Sequence, residues 1–192
     1  MKKYRIVIIL FFVTGSIFLQ SGCVTYRGFS EERLHLENKK TIKKGLLYVN
    51  GGSMFGGAKD IKTVFKSNSP FKEIEYVTMK PVKGWFVNVK VDSRPPSIPA
   101  MIFGYLSIQT LTILPVWSTK DGYNVIYEIF RDGERIKSFN YRIKRHVFVW
   151  LPLLPFTWIN FITYDESDAF KATTNQFFID SQKIFSSNKQ GI

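Results

Sequence analysis

The metal-ligating side chains of this 192-residue chain, which are also its groups most suited to acid–base work, are one cysteine, two histidines and 15 acidic residues. Cys23 is the only thiol, so its chemistry is alkylation, acylation or oxidation of a single sulfur, with no disulfide partner in the chain. His35 and His146 cannot build a His/Cys metal set without a second cysteine, and no His/carboxylate spacing suggests a mixed one. No metal and no cofactor is expected. Three carboxylate pairs invite acid–base chemistry, but each has a simpler role. Glu31/Glu32 and Asp165/Asp168 sit where helices should start, and Glu73/Glu75 lie on a solvent-facing strand edge. The run Gly51-Gly52-Ser53-Met54-Phe55-Gly56-Gly57-Ala58-Lys59 has the glycine separation of a phosphate loop between Gly52 and Gly57. Ala58 stands where that loop needs lysine, so a turn ahead of a short helix from Asp60 to Lys66 is expected instead. The motif G-x-S-x-G is absent.

Cys23 gains meaning from what precedes it. Lys2, Lys3 and Arg5 open the chain, an uncharged apolar run extends from Ile6 to Leu19, and Leu19-Gln20-Ser21-Gly22 leads into the cysteine. A basic start, an apolar stretch and small residues together make a secretory signal. At fourteen residues the run is short of the roughly 20 needed for a spanning helix. The segment Leu19 to Cys23 resembles the lipobox of bacterial lipoproteins, with Gln20 standing where that family usually has leucine. The resemblance covers the leader alone. It implies that the signal peptidase cuts before Cys23, with Leu19, Gln20, Ser21 and Gly22 as its recognition residues. Cys23 would then carry an S-diacylglycerol and an N-acyl chain. A single acyl chain binds membranes only marginally, at about 0.8 kcal/mol per buried CH₂, whereas several together hold permanently. Val24 follows the cysteine where an aspartate would signal inner-membrane retention. By that resemblance the protein sits on the outer membrane facing the periplasm, or on the outer face of the plasma membrane if the source is Gram-positive. An uncleaved anchor and a plainly secreted form are the competing readings.

With residues 1–22 removed, 24 basic residues remain against 15 acidic ones, a formal charge of +9. An exported protein meets little nucleic acid, so none is expected as a partner. Anionic lipid or acidic envelope polymers suit such a surface, as does simple solvation.

These residues must be positioned by the elements around them. Residues 23–44 are expected as a lipidated N-terminus and tether, with Lys39, Lys40, Lys43 and Lys44 clustered at its far end. A single α+β domain follows over 45–186, and 187–192 form a polar tail. Leu46–Val49 and Glu73–Met79 read as strands. Trp85, Val87, Val89 and Val91 alternate with Phe86, Asn88, Lys90 and Asp92, the period of a half-buried strand, which Arg94-Pro95-Pro96 ends. Tyr123 to Val149 reads as a hairpin turning at Asp132-Gly133. Only a three-residue turn (Arg131, Asp132, Gly133) pairs odd with odd positions, so that Tyr127 shares a face with Phe139 and Tyr141. Phe170, Thr173, Phe177, Ile184 and Phe185 recur at helical spacing over Ser167–Phe185. The expected fold is therefore an antiparallel sheet with a C-terminal amphipathic helix packed on it.

Two further stretches, 98–117 and 147–162, carry no charge. Proline, glycine and polar residues argue against spanning helices, and both are expected to supply core. The apolar loop around Leu153-Leu154-Pro155-Phe156 is the expected exception. With Trp150 and Trp158 it forms a candidate membrane or apolar-contact surface (Trp150, Leu153, Leu154, Phe156, Trp158). The functional expectation is a lipid-anchored envelope protein that is not an enzyme and acts with other envelope proteins as an interaction or assembly factor. A binder of lipid or other apolar ligands is the alternative, and a membrane-anchored hydrolase the second.

Overall fold

The alternation at Trp85–Asp92 and in the Tyr123–Val149 hairpin builds the centre of a seven-stranded sheet. The computed structural model describes residues 22–34, 45–51, 57–110 and 112–186. In chain order the strands are β1 (Gly22–Arg27), β2 (Leu46–Gly51), β3 (Glu73–Tyr76), β4 (Trp85–Arg94), β5 (Val116–Ser118), β6 (Gly122–Arg131) and β7 (Glu134–Val149). The helices are α1 (Gly57–Asn68), α2 (Ile98–Gln109) and α3 (Glu166–Ser186), with 3-10 segments at Glu31–Arg33 and Leu151–Phe161. The strands are hydrogen-bonded in the order β1-β7-β6-β4-β2-β3, and β5 also pairs with β7.

The fold is α+β, and its C-terminal helix packs against the sheet. The sheet is mixed, because β2 runs parallel to both β3 and β4. Parallel neighbours need a crossover of a dozen or more residues, and α1 supplies one between β2 and β3.

The chain divides into two compact units, where the sequence suggested one domain from residue 45. The larger comprises Gly28–Ser93, Tyr123–Ile143 and residues 166–186. Its core is aromatic. Ile61, Val64, Phe65 and Asn68 recur at helical spacing in α1, and the first three are buried. Phe177 of α3 is fully buried and stacks on Tyr127 of β6, with ring centroids 4.4 Å apart. Phe65 meets Phe178 edge-on at 4.8 Å. The Tyr127 hydroxyl shares a 2.8 Å hydrogen bond with the Thr174 hydroxyl, so the polar end of the most buried tyrosine is satisfied.

The hairpin corrects the expected turn. Only Asp132 and Gly133 separate β6 from β7, and both have positive φ, 50° and 84°. That is the two-residue turn whose twist matches paired strands. It sets Arg131 opposite Glu134, which by itself would place Tyr127 opposite Ser138. Tyr127 nevertheless packs on Tyr141 at 5.8 Å, and Phe139 joins it against Phe177 at 5.8 Å. The expected sharing of a face holds in these ring contacts, although the turn has two residues and not three.

The smaller unit contains residues 22–27, Arg94–Gly122 and Lys144–Asp165. Residues 23–27, expected as part of a tether, are strand. The cluster Lys39, Lys40, Lys43 and Lys44, the glycine-rich run from Gly52 to Gly56 and His35 lie outside the described residues.

Candidate functional site

In the smaller unit β7 is flanked by two strands at the same level. Cys23 of β1 and Trp117 of β5 are both registered on Phe148 of β7. Directly opposed residues of antiparallel strands point to the same face, so Cys23, Phe148 and Trp117 form one row across the sheet. Cys23 is half-buried, and Trp117 is 55 % exposed. Along the same face, His146 stands opposite Thr25 and Lys144 opposite Arg27. The last pair is exposed. The face thus grades from thiol and aromatic rings to two cations over four residues, about 13 Å at strand rise.

The other edge of β1 is closed by the end of the second 3-10 segment and the residues that follow it. The Val24 amide donates to Asn160 Oδ1 at 3.0 Å, and the Tyr26 amide donates to the Tyr164 carbonyl at 3.1 Å. Cys23 is therefore held at the start of a strand bonded on both sides.

Beside Trp117 lies α2, and here the expected core is overturned. From Ile98 to Ile108 every residue is exposed except Ala100, Gly104 and Ser107, and the large apolar side chains are 41 to 70 % exposed. The one buried side chain of the helix is Ser107, whose hydroxyl donates to the Leu114 carbonyl at 2.7 Å. Phe103 stacks on Trp117 at 5.8 Å. The physical reason is position. α2 turns its small residues inward, and apart from Phe103 on Trp117 its large side chains are left mostly exposed. Residues 98–117 are thus largely surface.

The second apolar stretch divides. Its first residues complete β7, and 151–161 form the 3-10 segment. Trp150 is fixed by its indole N–H, which donates to the Ile113 carbonyl at 3.0 Å, and Leu153 is half-buried. Phe156 and Trp158 are 50 and 56 % exposed. The side chain of Leu154 is not among those described. Of the leader residues, Leu19, Gln20 and Ser21 lie outside the described region, and Gly22 opens β1 opposite Val149. Cys23 is thus half-buried and Phe156 and Trp158 are exposed, and so are Trp117 and most of α2, which the sequence places in the core. Their signal was present as a charge-free run and was assigned to core.

Two buried carboxylates hold the sheet. Asp121, 1 % exposed, takes the Arg145 guanidinium through Oδ2, at 2.8 Å to Nε and 2.5 Å to Nη2. Through Oδ1 it accepts the Ser118 hydroxyl at 2.7 Å. Burial alone would raise its pKa, but the Ser118 hydrogen bond and the Arg145 charge outweigh this and hold it below the usual carboxylate range. In the larger unit, Glu128 binds Lys90 at 2.9 Å, Asn88 at 3.1 Å and Arg135 at 3.4 Å. The Lys90 contact is the main cause of its lowered pKa. Both are ion-paired acceptors with no free proton to give near neutrality.

Among the described residues, no group of His, Cys, Asp and Glu could hold a metal ion. No described helix is long and apolar enough to cross a membrane. A cavity of about 460 Å³ in the larger unit has a polar lining of Ser30, Tyr141, Thr173 and Gln176, with Phe29 as its one large apolar side chain. The Tyr141 hydroxyl donates to Asp180 at 2.7 Å, and burial together with that carboxylate pushes its pKa up. No protein-family model matches the chain, and no curated protein matches it.

Proposed function

We propose that this is a lipid-anchored protein of a bacterial cell envelope, acylated on Cys23 after removal of residues 1–22. On this reading it faces the periplasm from the outer membrane in a Gram-negative source. It acts by contact with other envelope components as an interaction or assembly factor rather than by catalysis. The observation that carries the reading is the placing of the only cysteine directly after an apolar leader and two small residues. The incomplete burial of Cys23 supports it, because an enclosed sulfur could not carry acyl chains. Incubating cells with a palmitate analogue tests it. The wild-type chain takes up label and Cys23→Ala does not. Equal labelling of the two, or none of either, overturns the reading.

A further inference from the structure

Cys23 is the second residue of β1, registered on Phe148, and so has no slack between it and the folded unit. Strands lie about 5 Å apart, which puts Trp117 only about 10 Å across the row from Cys23. Whatever holds acyl chains on Cys23 must therefore reach the surface formed by Phe148, Trp117 and, stacked on it, Phe103 of α2. Residues 95–119 carry no charge and are bracketed by Arg94 and Lys120. The exposed rings include Tyr105, Trp117 and Trp158, the amphipathic types that favour the headgroup level. At twelve residues α2 spans about 18 Å, too short to cross a bilayer, and its exposed side chains are almost all apolar. On the sheet face that bears Cys23, exposed Arg27 and Lys144 stand where anionic headgroups would be.

We infer that the smaller unit docks directly on the bilayer through the α2–Trp117–Phe148 face, with Arg27 and Lys144 against anionic headgroups. The unit is thus laid on the membrane instead of hanging from it. The inference rests on the reading of Cys23 as the lipid-bearing residue. Its occupant is a phospholipid surface, and the absence of charge across α2 favours that over a polar protein partner.

Full-length acylated protein, reconstituted into vesicles of phosphatidylethanolamine and phosphatidylglycerol containing bromine-labelled lipid, tests the docking. Tryptophan fluorescence should be quenched, and Trp117→Phe should lose a large part of that quenching. The double variant Ile102→Glu/Ile108→Glu should lower quenching of Trp117 with the circular dichroism unchanged, because both side chains are exposed. Equal quenching of wild type and Trp117→Phe would show the face turned away from lipid and overturn the docking. If the protein in detergent is instead a dimer that the double variant dissociates, a second copy covers the face, and the docking is again overturned. Labelling at Cys23 is read separately. An unlabelled chain whose Trp117 is still quenched removes the acylation and keeps the docking.

Discussion

Replacing Asp121 by asparagine should destabilise the smaller unit at neutral pH and leave it little changed in acid. The carboxylate is buried and meets Arg145 through two hydrogen bonds and Ser118 through a third. The Arg145 amide also donates to the Asp121 carbonyl at 3.0 Å, so this corner ties the start of β6 to β7. Asparagine keeps one acceptor but turns an N–H donor or an uncharged oxygen toward a guanidinium. Removing one partner of a buried pair costs about 3–5 kcal/mol. The Arg145 side chain is 35 % exposed and can recover water, which brings the expected loss to about 2–3 kcal/mol. With a urea slope of about 1–3 kcal/mol per molar, the midpoint should fall by roughly 1 M or more.

The pH dependence follows from the lowered pKa. A carboxyl whose folded value lies below its unfolded value of about 3.9 stabilises fully above that value, and the contribution disappears as pH falls through the folded one. The gap between wild type and Asp121→Asn should therefore be constant from pH 8 to about 5 and close below about 4. Glu128 is lowered in the same way but is present in both proteins, so it cancels from the difference. Urea unfolding of the full-length chain in non-ionic detergent, followed by tryptophan emission, is a suitable assay. Trp117, Trp150 and Trp158 all lie in the unit that holds Asp121. Equal midpoints at pH 7, or a gap that does not begin to narrow as pH falls below about 4, would refute the assignment of this pair.

The larger unit gives two further tests. Phe177→Ala removes a fully buried ring that touches Tyr127, Phe65 and Phe178, and should cost about 3–5 kcal/mol in denaturant unfolding. Loss below 1 kcal/mol would mean that the aromatic cluster is not the core. Gly133→Ala forces a side chain to adopt φ 84° and should cost about 1–2 kcal/mol, read as a lower thermal midpoint. An added Cβ would lie 3.7 Å from the Val82 carbonyl oxygen, so backbone strain rather than collision sets that loss.

Alternation and helical spacing made much of the larger unit legible. The valines of β4, the parity of the β6–β7 hairpin and the stripe of α3 each carry a period that only one packing satisfies. The turn was misread because parity alone calls for an extra residue in the loop, whereas the chain keeps a tight Asp132-Gly133 turn. The parallel pairing of β2 was not legible, since a short apolar strand looks the same in either direction and only the crossover through α1 decides. Buried Glu128 and Asp121 were illegible for a related reason. Their partners Lys90 and Arg145 come from other strands, and no local spacing records that.

The smaller unit was misread for a different reason. A protein core and a lipid interface are both apolar surroundings, so a charge-free run such as 98–117 is compatible with either, and mean hydropathy cannot separate them. What separates them is which residues point inward. In α1, large apolar residues at 61, 64 and 65 are buried and polar ones face out. In α2 the inward residues are Ala100, Gly104 and Ser107, at helical spacing, and the large ones face out. At Gly104 an added Cβ would meet the Val116 side chain at 3.8 Å, an ordinary contact, so this face of α2 lies close against β5 with room for alanine. A stripe of small residues in a run of large apolar ones reverses the pattern of a water-facing helix. That stripe can be read from the spacing of three residues, and it is the pattern on which the proposed docking of α2 against a bilayer rests.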